Sequence, residues 1–303
     1  MNKICKNDKE PLILKEYNDV YFIYKPPNWF CSTDNEYIYM KKNIKTNNFI
    51  LDWIKDNCNT NIEIKILKYN YGLINRIDYE TSGIVMVAKN IKSYLEYRDN
   101  INNHDKTLKI YITLVKGDVN QTFGVINSPL SNNKKYTYID EKKGKYSYTE
   151  YIKLKTLNYN ENIYSLLLVK IKTGMTHQIR VHLQSIGNTV VCDKKYDKNT
   201  KKNCNLSSRL FLHSYYYKLK NNVYYEACIP IDLQNSLNKM TLIKEFYKLE
   251  NALLILKTNI ITNLIIKYSE NIKKSKKSIK SKKSITSKKS IKSKKSKKKQ
   301  KKE

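Results

Sequence analysis

What most constrains this chain is a recurring pattern of short apolar runs of strand length, each closed by turn residues and separated by few helical stretches. "DVYFIYKPPNW" (19–29) reads as an apolar strand ending at Pro26-Pro27, and residues 84–88 ("IVMVA") as a second. "KIYITLVKG" (109–117) alternates as a strand and stops at a glycine. "GKYSYTEYIKLKTL" (144–157) and "IYSLLLVKIKTG" (163–174) predict a strand pair joined by the polar turn "NYNEN". "RLFLHSYYYKL" (209–219) and "NVYYEACIP" (222–230) predict a final hairpin.

Two stretches change period. Ile91, Tyr94, Leu95 and Arg98 fall at helical spacing within 90–103. In 173–188, Ile179, Leu183 and Ile186 recur at i, i+4 and i+7, with Thr176 placed as N-cap and Gly187 as C-cap. That predicts a three-turn helix with Arg180 in its first turn. Strands with segregated helices give an α+β fold, not a repeating βαβ chain.

Charge narrows the partner class. The 303 residues hold 58 Lys and Arg against 27 Asp and Glu, a net +31, which points to a polyanion: nucleic acid or a membrane surface. The stretch from Lys273 to Glu303 carries +16, leaving +15 on residues 1–272, so the body is basic in its own right. Repeats such as "KSKKSI" in that tail cannot bury a core and predict disorder over 273–303. Residues 238–268 predict one or two helices beyond the core.

Only four of the 58 basic residues are arginines (Arg76, Arg98, Arg180, Arg209), so an arginine here suggests a need for its planar fork. The six cysteines are scattered without a Cys-x-x-Cys pair, suggesting neither a zinc site nor a disulfide framework, and a reducing compartment. No apolar run approaches the roughly 20 residues that span a bilayer, and the first residues lack a secretory apolar core.

Several chemistries find no support. His177 and His182 are five apart and would face different ways on a helix, so no metal site is expected. There is no Gly-x-Ser-x-Gly elbow, P-loop or dinucleotide fingerprint, so no cofactor is expected. What remains is "NRIDYETSG" (75–83) and "THQIR" (176–180). On spacing alone Asp78 reads as a turn residue.

These stretches fall in blocks that resemble the RluA family of pseudouridine synthases, over roughly residues 19–232. "NRIDYETSGIVMVAKN" is similar to the family's His-Arg-Leu-Asp-x-x-Thr-Ser-Gly-Leu motif, and "KIYITLVKG" to Lys-x-Tyr-x-Ala-Leu-Val-x-Gly. "GKYSYTEY" resembles Gly-Lys-x-Ala-x-Thr. "TGMTHQIRVHLQSIGNTVVCDKKY" resembles Thr-Gly-Arg-Thr-His-Gln-Ile-Arg-Val-His-Leu through to Gly-Asp-x-x-Tyr. "RLFLHS" resembles Arg-Leu-x-Leu-His-Ala, and "VYFIYKPPNW" the N-terminal Lys-Pro strand.

The resemblance implies a pseudouridine synthase fold, a mixed, mostly antiparallel sheet with flanking helices and a catalytic cleft. It implies cofactor-free isomerisation of uridine in ribosomal or transfer RNA. Asp78 becomes the catalytic nucleophile, Tyr111 the aromatic that stacks on the uracil, and Arg180 the ion-pair partner of Asp78. Arg76 would fill the gap left by the extruded nucleotide, with His177 and Lys25 at the RNA surface.

The physics suits these types. A carboxylate nucleophile must stay ionised in a desolvated pocket. A guanidinium at 4 Å is worth about 4 kcal/mol at an effective dielectric of 20 before desolvation. Base extrusion costs a few kcal/mol that aromatic stacking partly offsets.

Two positions depart from the family: Met175 replaces the arginine of Thr-Gly-Arg, and Asn75 replaces the histidine before Arg76. The expected organisation is an N-terminal extension (1–18), a catalytic domain (19–235), a helical extension (236–272) and a basic tail (273–303). RNA is the expected partner, with no membrane and no obligate protein partner. The tail fits sequence-independent RNA affinity or a nuclear or nucleolar address. The compartment stays open among nucleus, cytoplasm and organelle. The rival reading is a catalytically impaired RNA-binding protein on the same fold. A membrane-surface protein anchored by the lysine tail accounts for none of the blocks.

Overall fold

In a computed structural model of the protein, the apolar runs become strands of a ten-stranded sheet. The structure describes residues 9–31, 48–65, 67–102, 106–133, 136–198, 204–219 and 223–258. Strands β1 (Leu12–Glu16) and β2 (Val20–Lys25) are followed by helix α1 (Ile50–Asn57). Then come β3 (Ser82–Ala88), α2 (Ile91–Asn102) and β4 (Leu108–Lys116). Short strands β5 (Phe123–Ile126), β6 (Leu130–Asn132) and β7 (Thr137–Ile139) lead to the long pair β8 (Thr149–Tyr159) and β9 (Asn162–Ile171). Helix α3 (Gln178–Ser185), β10 (Leu212–Lys218), β11 (Tyr224–Glu226), α4 (Ile231–Asn238), β12 (Thr241–Glu245) and α5 (Leu249–Lys257) follow.

The sheet order is β1-β2-β3-β10-β4-β9-β8-β12, with β11 paired to β10 and β5 to β8. The β3–β10 pair is parallel and the other pairings are antiparallel, so the expected mixed, mostly antiparallel α+β fold is what forms. Strands β6 and β7 make a separate ribbon.

β2 and β3 are buried at every position, because alternate side chains along each enter different cores. Tyr21, Ile23, Val85 and Val87 pack with Ile50, Leu51 and Ile54 of α1 and with Ile179 and Leu183 of α3. Val20, Phe22, Ile84, Met86 and Ala88 pack with Tyr94 and Tyr97 of α2. The segment that leads into β3 therefore rests on a scaffold covered on both faces.

Several boundaries differ from those predicted. β1 lies within the expected N-terminal extension yet pairs antiparallel with β2. The expected helical extension contains β12, which pairs with β8 between helices α4 and α5. All five β12 residues are exposed, so the strand is held by backbone hydrogen bonds and leaves no hydrophobic period to read. Helix α3 is two turns, not three. Its N-cap is His177 in a left-handed conformation (φ 55°), with no side-chain cap, in place of Thr176. Gly187, at φ 86°, does lie just past its end, where the left-handed region favours glycine.

Cys192 and Cys204 are joined by a disulfide with Cα atoms 5.5 Å apart, a pairing the scattered cysteines gave no reason to expect. The elements above belong to the unit Met1–Lys257. Of the second unit, Thr258–Glu303, Thr258 alone is described, so the Lys/Ser tail lies outside the described residues.

Candidate active site

Asp78 lies in the irregular segment between Leu73 and β3, and this segment is held from several sides. Asn75 accepts from the Met86 amide (2.8 Å) and donates to the Ile84 carbonyl (3.4 Å), clipping the chain to β3. The replacement for the family histidine thus keeps a hydrogen bond to donate. The Thr81 amide donates to the Asp78 carbonyl (3.1 Å), closing a turn.

Lys25 donates from Nζ to the carbonyls of Pro26, Trp29 and Tyr79 at 2.8–3.2 Å. Arg209 reaches the Glu80 carbonyl (3.2 Å) and Ser82 Oγ (2.9 Å) while its fork also grips Asp232. Lys25 and Arg209 are both buried. The expectation that Lys25 faces RNA is therefore corrected. Its three donors are occupied by carbonyls, and burial lowers its pKa to about 7. It braces the peptide that follows Asp78.

Arg180 enters from the first turn of α3. Its Nη1 donates to Asp78 Oδ2 at 2.9 Å. Its Nε and Nη2 form a two-pronged contact with Asp193 at 2.7 and 2.8 Å. Asp193 is fully buried and also accepts from the amides of Lys195 and Tyr196, both at 3.0 Å. One guanidinium is thus shared between a buried carboxylate that fixes it and a partly exposed one that it presents. Burial works against the Arg180 charge, but the hydrogen bonds and charges of Asp193 and Asp78 outweigh it and raise its pKa. Cys192, at φ 60°, stands where the quoted family motif has glycine and directs the chain into this Asp193 turn.

The predicted set largely converges. Asp78, Tyr111, Arg180, His177 and Arg76 all line one cavity of about 280 Å³, with Met175, Lys109, Arg98 and Tyr217 also on its wall. Tyr111 is buried on β4, and burial, reinforced by the Asp78 charge, raises its pKa. His177 places Nε2 3.9 Å from Asp78 Oδ2 and shares a hydrogen bond between Nδ1 and the Tyr196 hydroxyl (2.8 Å). Burial lowers its pKa to about 4 despite the nearby carboxylate, leaving it neutral at pH 7. Arg76 is exposed at the cavity, and the close ion pair of Asp78 among the described residues is with Arg180.

Lys25 lies apart from this group. Asp193, Lys109 and Tyr217 were not singled out from sequence. For two of them a signal existed: Asp193 lies in the "CDKKY" segment, and Lys109 is the lysine that opens the Lys-x-Tyr block. Among the described residues no cluster of three or more His, Cys, Asp or Glu side chains could hold a metal ion.

A carboxylate held by a fixed guanidinium beside a buried aromatic, in a base-sized cavity, is an arrangement for nucleophilic work on a planar substrate. Residues 19–185 match the family described as RNA pseudouridylate synthase. The chain belongs to that family. Ribosomal large subunit pseudouridine synthase D of Borreliella burgdorferi is 39% identical over 165 residues, covering 50% of this chain and 48% of that protein. Ribosomal large subunit pseudouridine synthase C of Buchnera aphidicola is 37% identical over 180 residues, covering 55% of each. The chain spans about half the length of the curated relatives it matches.

The solved structure of human RNA Pseudouridylate Synthase Domain Containing 1 superposes with a TM-score of 0.63 at 19% identity. It covers 83% of this chain and 96% of that one, which shows the shared pseudouridylate synthase fold.

Proposed function

We propose that this chain is an RNA pseudouridine synthase that converts uridine to pseudouridine in structured RNA, with ribosomal RNA as the favoured substrate. The observation that carries the reading is the 2.9 Å contact between Arg180 and Asp78 in the cavity that Tyr111 lines. Family membership and the names of the two bacterial relatives support the substrate class.

In this reading the target nucleotide leaves its stack and the uracil packs on Tyr111, while Arg76 occupies the vacated space. Arg180 keeps Asp78 ionised and oriented by opposing the cost of desolvation. Asp78 adds to the nucleotide or assists cleavage of the glycosidic bond. The uracil then turns within the cavity, its C5 bonds to C1′, any bond formed to Asp78 breaks to return the carboxylate, the C5 proton is released and N1 gains one. Neutral His177 contributes a hydrogen-bonding edge beside Asp78 without adding charge.

The rival, an impaired RNA-binding protein, drew on Met175. That side chain packs against the apolar group of Leu130, Val181 and Tyr196, beside the Asp78–Arg180 pair and without disturbing it. Pseudouridine mapping with wild type and Asp78→Asn tests the proposal. A site lost in the variant, with RNA binding retained, is expected. Wild type that modifies no RNA in its cell or in vitro would overturn it.

A further inference from the structure

The cavity contains a cation that the mechanism above leaves without a task. Lys109 is only 4% exposed, and among the described residues its ammonium has neither an ion pair nor a hydrogen bond. It lines the cavity close to Gly174, where a Cβ would lie 3.9 Å from its Nζ. Tyr217 is its cross-strand partner on β10, is 1% exposed, and also lines the cavity. Among the described residues the Tyr217 hydroxyl has no hydrogen-bond partner. A lysine almost wholly withdrawn from solvent and a buried unpaired phenol, adjacent by strand register on one cavity wall, cost stability unless something binds to them.

We infer that Lys109 and Tyr217 form a subsite for a carbonyl oxygen of the target uracil and stabilise the negative charge that develops there. The inference rests on the proposed function. Lys109 is two residues from Tyr111 on β4, roughly 7 Å along the strand, so a base stacked on Tyr111 brings its edge toward the ammonium.

Negative charge on the base arises by either chemical route. If the C1′–N1 bond breaks first, its electron pair stays on the uracil and spreads from N1 to the carbonyl oxygens. If Asp78 adds to C6, the ring double bond's electrons move toward the C4 carbonyl. In the first route the C5–C1′ bond takes up that pair, after which C5 loses its proton and N1 gains one. In the second, C5 bonds to C1′, N1 gains a proton, and loss of the C5 proton expels Asp78 as carboxylate. A cation with no resident counter-ion acts more strongly on this transient anion than on neutral uridine, which is how a group accelerates a step. A phosphate is the weaker candidate because Lys109 is buried, whereas Arg76 and Arg98 at the cavity are exposed. Burial lowers the Lys109 pKa to about 8, which still leaves it mostly charged at neutral pH.

The test uses the full chain and a large-subunit ribosomal RNA transcript carrying tritium at uracil C5. Single-turnover tritium release, RNA affinity and melting temperature are measured for wild type, Lys109→Met and Tyr217→Phe. Lys109→Met is expected to slow release on the order of 100-fold with RNA affinity within about threefold. Its melting temperature should stay at or above wild type, since a buried unpaired charge is gone. Tyr217→Phe should slow release roughly 3- to 10-fold.

A Lys109→Met rate within about threefold of wild type overturns the subsite. So does a loss of affinity that equals the loss of rate, which would assign Lys109 to phosphate. If Lys109→Met does not fold, an unchanged rate in Tyr217→Phe overturns it instead. Wild type that releases no tritium removes the parent reading as well, whereas an active wild type with an active Lys109→Met removes this inference alone.

Discussion

Replacing Asp193 with asparagine separates the residue that holds Arg180 from the residue Arg180 serves. Asp193 is buried and takes two guanidinium donors at 2.7 and 2.8 Å plus two backbone amides. Asparagine can keep its oxygen toward the amides, but its amide nitrogen then meets the Arg180 Nε–H donor to donor. One charge-assisted hydrogen bond, worth about 1.5–3 kcal/mol, is lost, and the buried guanidinium loses its counter-charge. We expect a net loss of about 3 kcal/mol, toward the low end for breaking a buried ion pair. A domain of this size loses roughly 2–4 °C per kcal/mol, so melting should fall by about 6–12 °C.

The guanidinium, no longer clamped, then presents Asp78 in varied geometries, and conversion of uridine should slow on the order of 100-fold. Asp78→Asn is the control. The Asp78 side chain is 24% exposed, so that variant should abolish conversion with little change in melting. Calorimetry and tritium release on the two variants decide the matter. An Asp193→Asn protein that melts within about 2 °C of wild type and converts RNA at the wild-type rate would refute the clamp.

The other perturbations address single residues or segments. Lys25→Met should cost about 1–3 kcal/mol while leaving the salt dependence of RNA binding unchanged, because the ammonium contacts carbonyls and not RNA; denaturant unfolding and filter binding check both halves. Met175→Arg should tighten RNA binding and steepen its log–log salt slope by about 0.7–0.9, read by titration at several salt concentrations. Removing residues 273–303 should flatten the same slope markedly, since that segment carries 17 lysines, while conversion at saturating RNA persists. For Lys109 the folded pKa is about 8 against an ordinary 10.5, so between those values the unfolded chain holds more protons and stability rises with pH. The melting advantage of Lys109→Met over wild type should therefore be largest below about pH 8 and close toward pH 10.5.

The residues that converge on the candidate site were legible where chemistry forces residue type. Asp78, Tyr111 and Arg180 sit in ordered blocks, and an arginine in a lysine-dominated chain marks a need for a fixed fork. Asp193 was missed because a carboxylate ahead of two lysines reads equally well as a surface turn. Its role depends on burial, which no local pattern encodes. Lys25 was misplaced for the same reason: a lysine in a basic protein gives no sign of whether its ammonium meets solvent or three carbonyls. Strand β12 is held by its backbone at an exposed edge, so it lacks the alternation that revealed β4 and β9.

The parallel pair of β3 and β10 has a consequence for the order in which the protein is made. Ser82 and His213 are 131 residues apart in the chain and hydrogen-bond at 2.8 Å, while Arg209 reaches back to Glu80 and Ser82. During synthesis the Asp78 segment emerges long before the strand and the arginine that brace it. Pairings this distant form slowly, because a long loop must close first. A nascent chain that has not reached residue 209 holds Asp78 without the brace on the segment that follows it. Under the proposed function, capacity to modify RNA would be postponed until nearly the whole sheet has been translated, and a shortened product ending before β10 would carry Asp78 without the contacts that brace its segment.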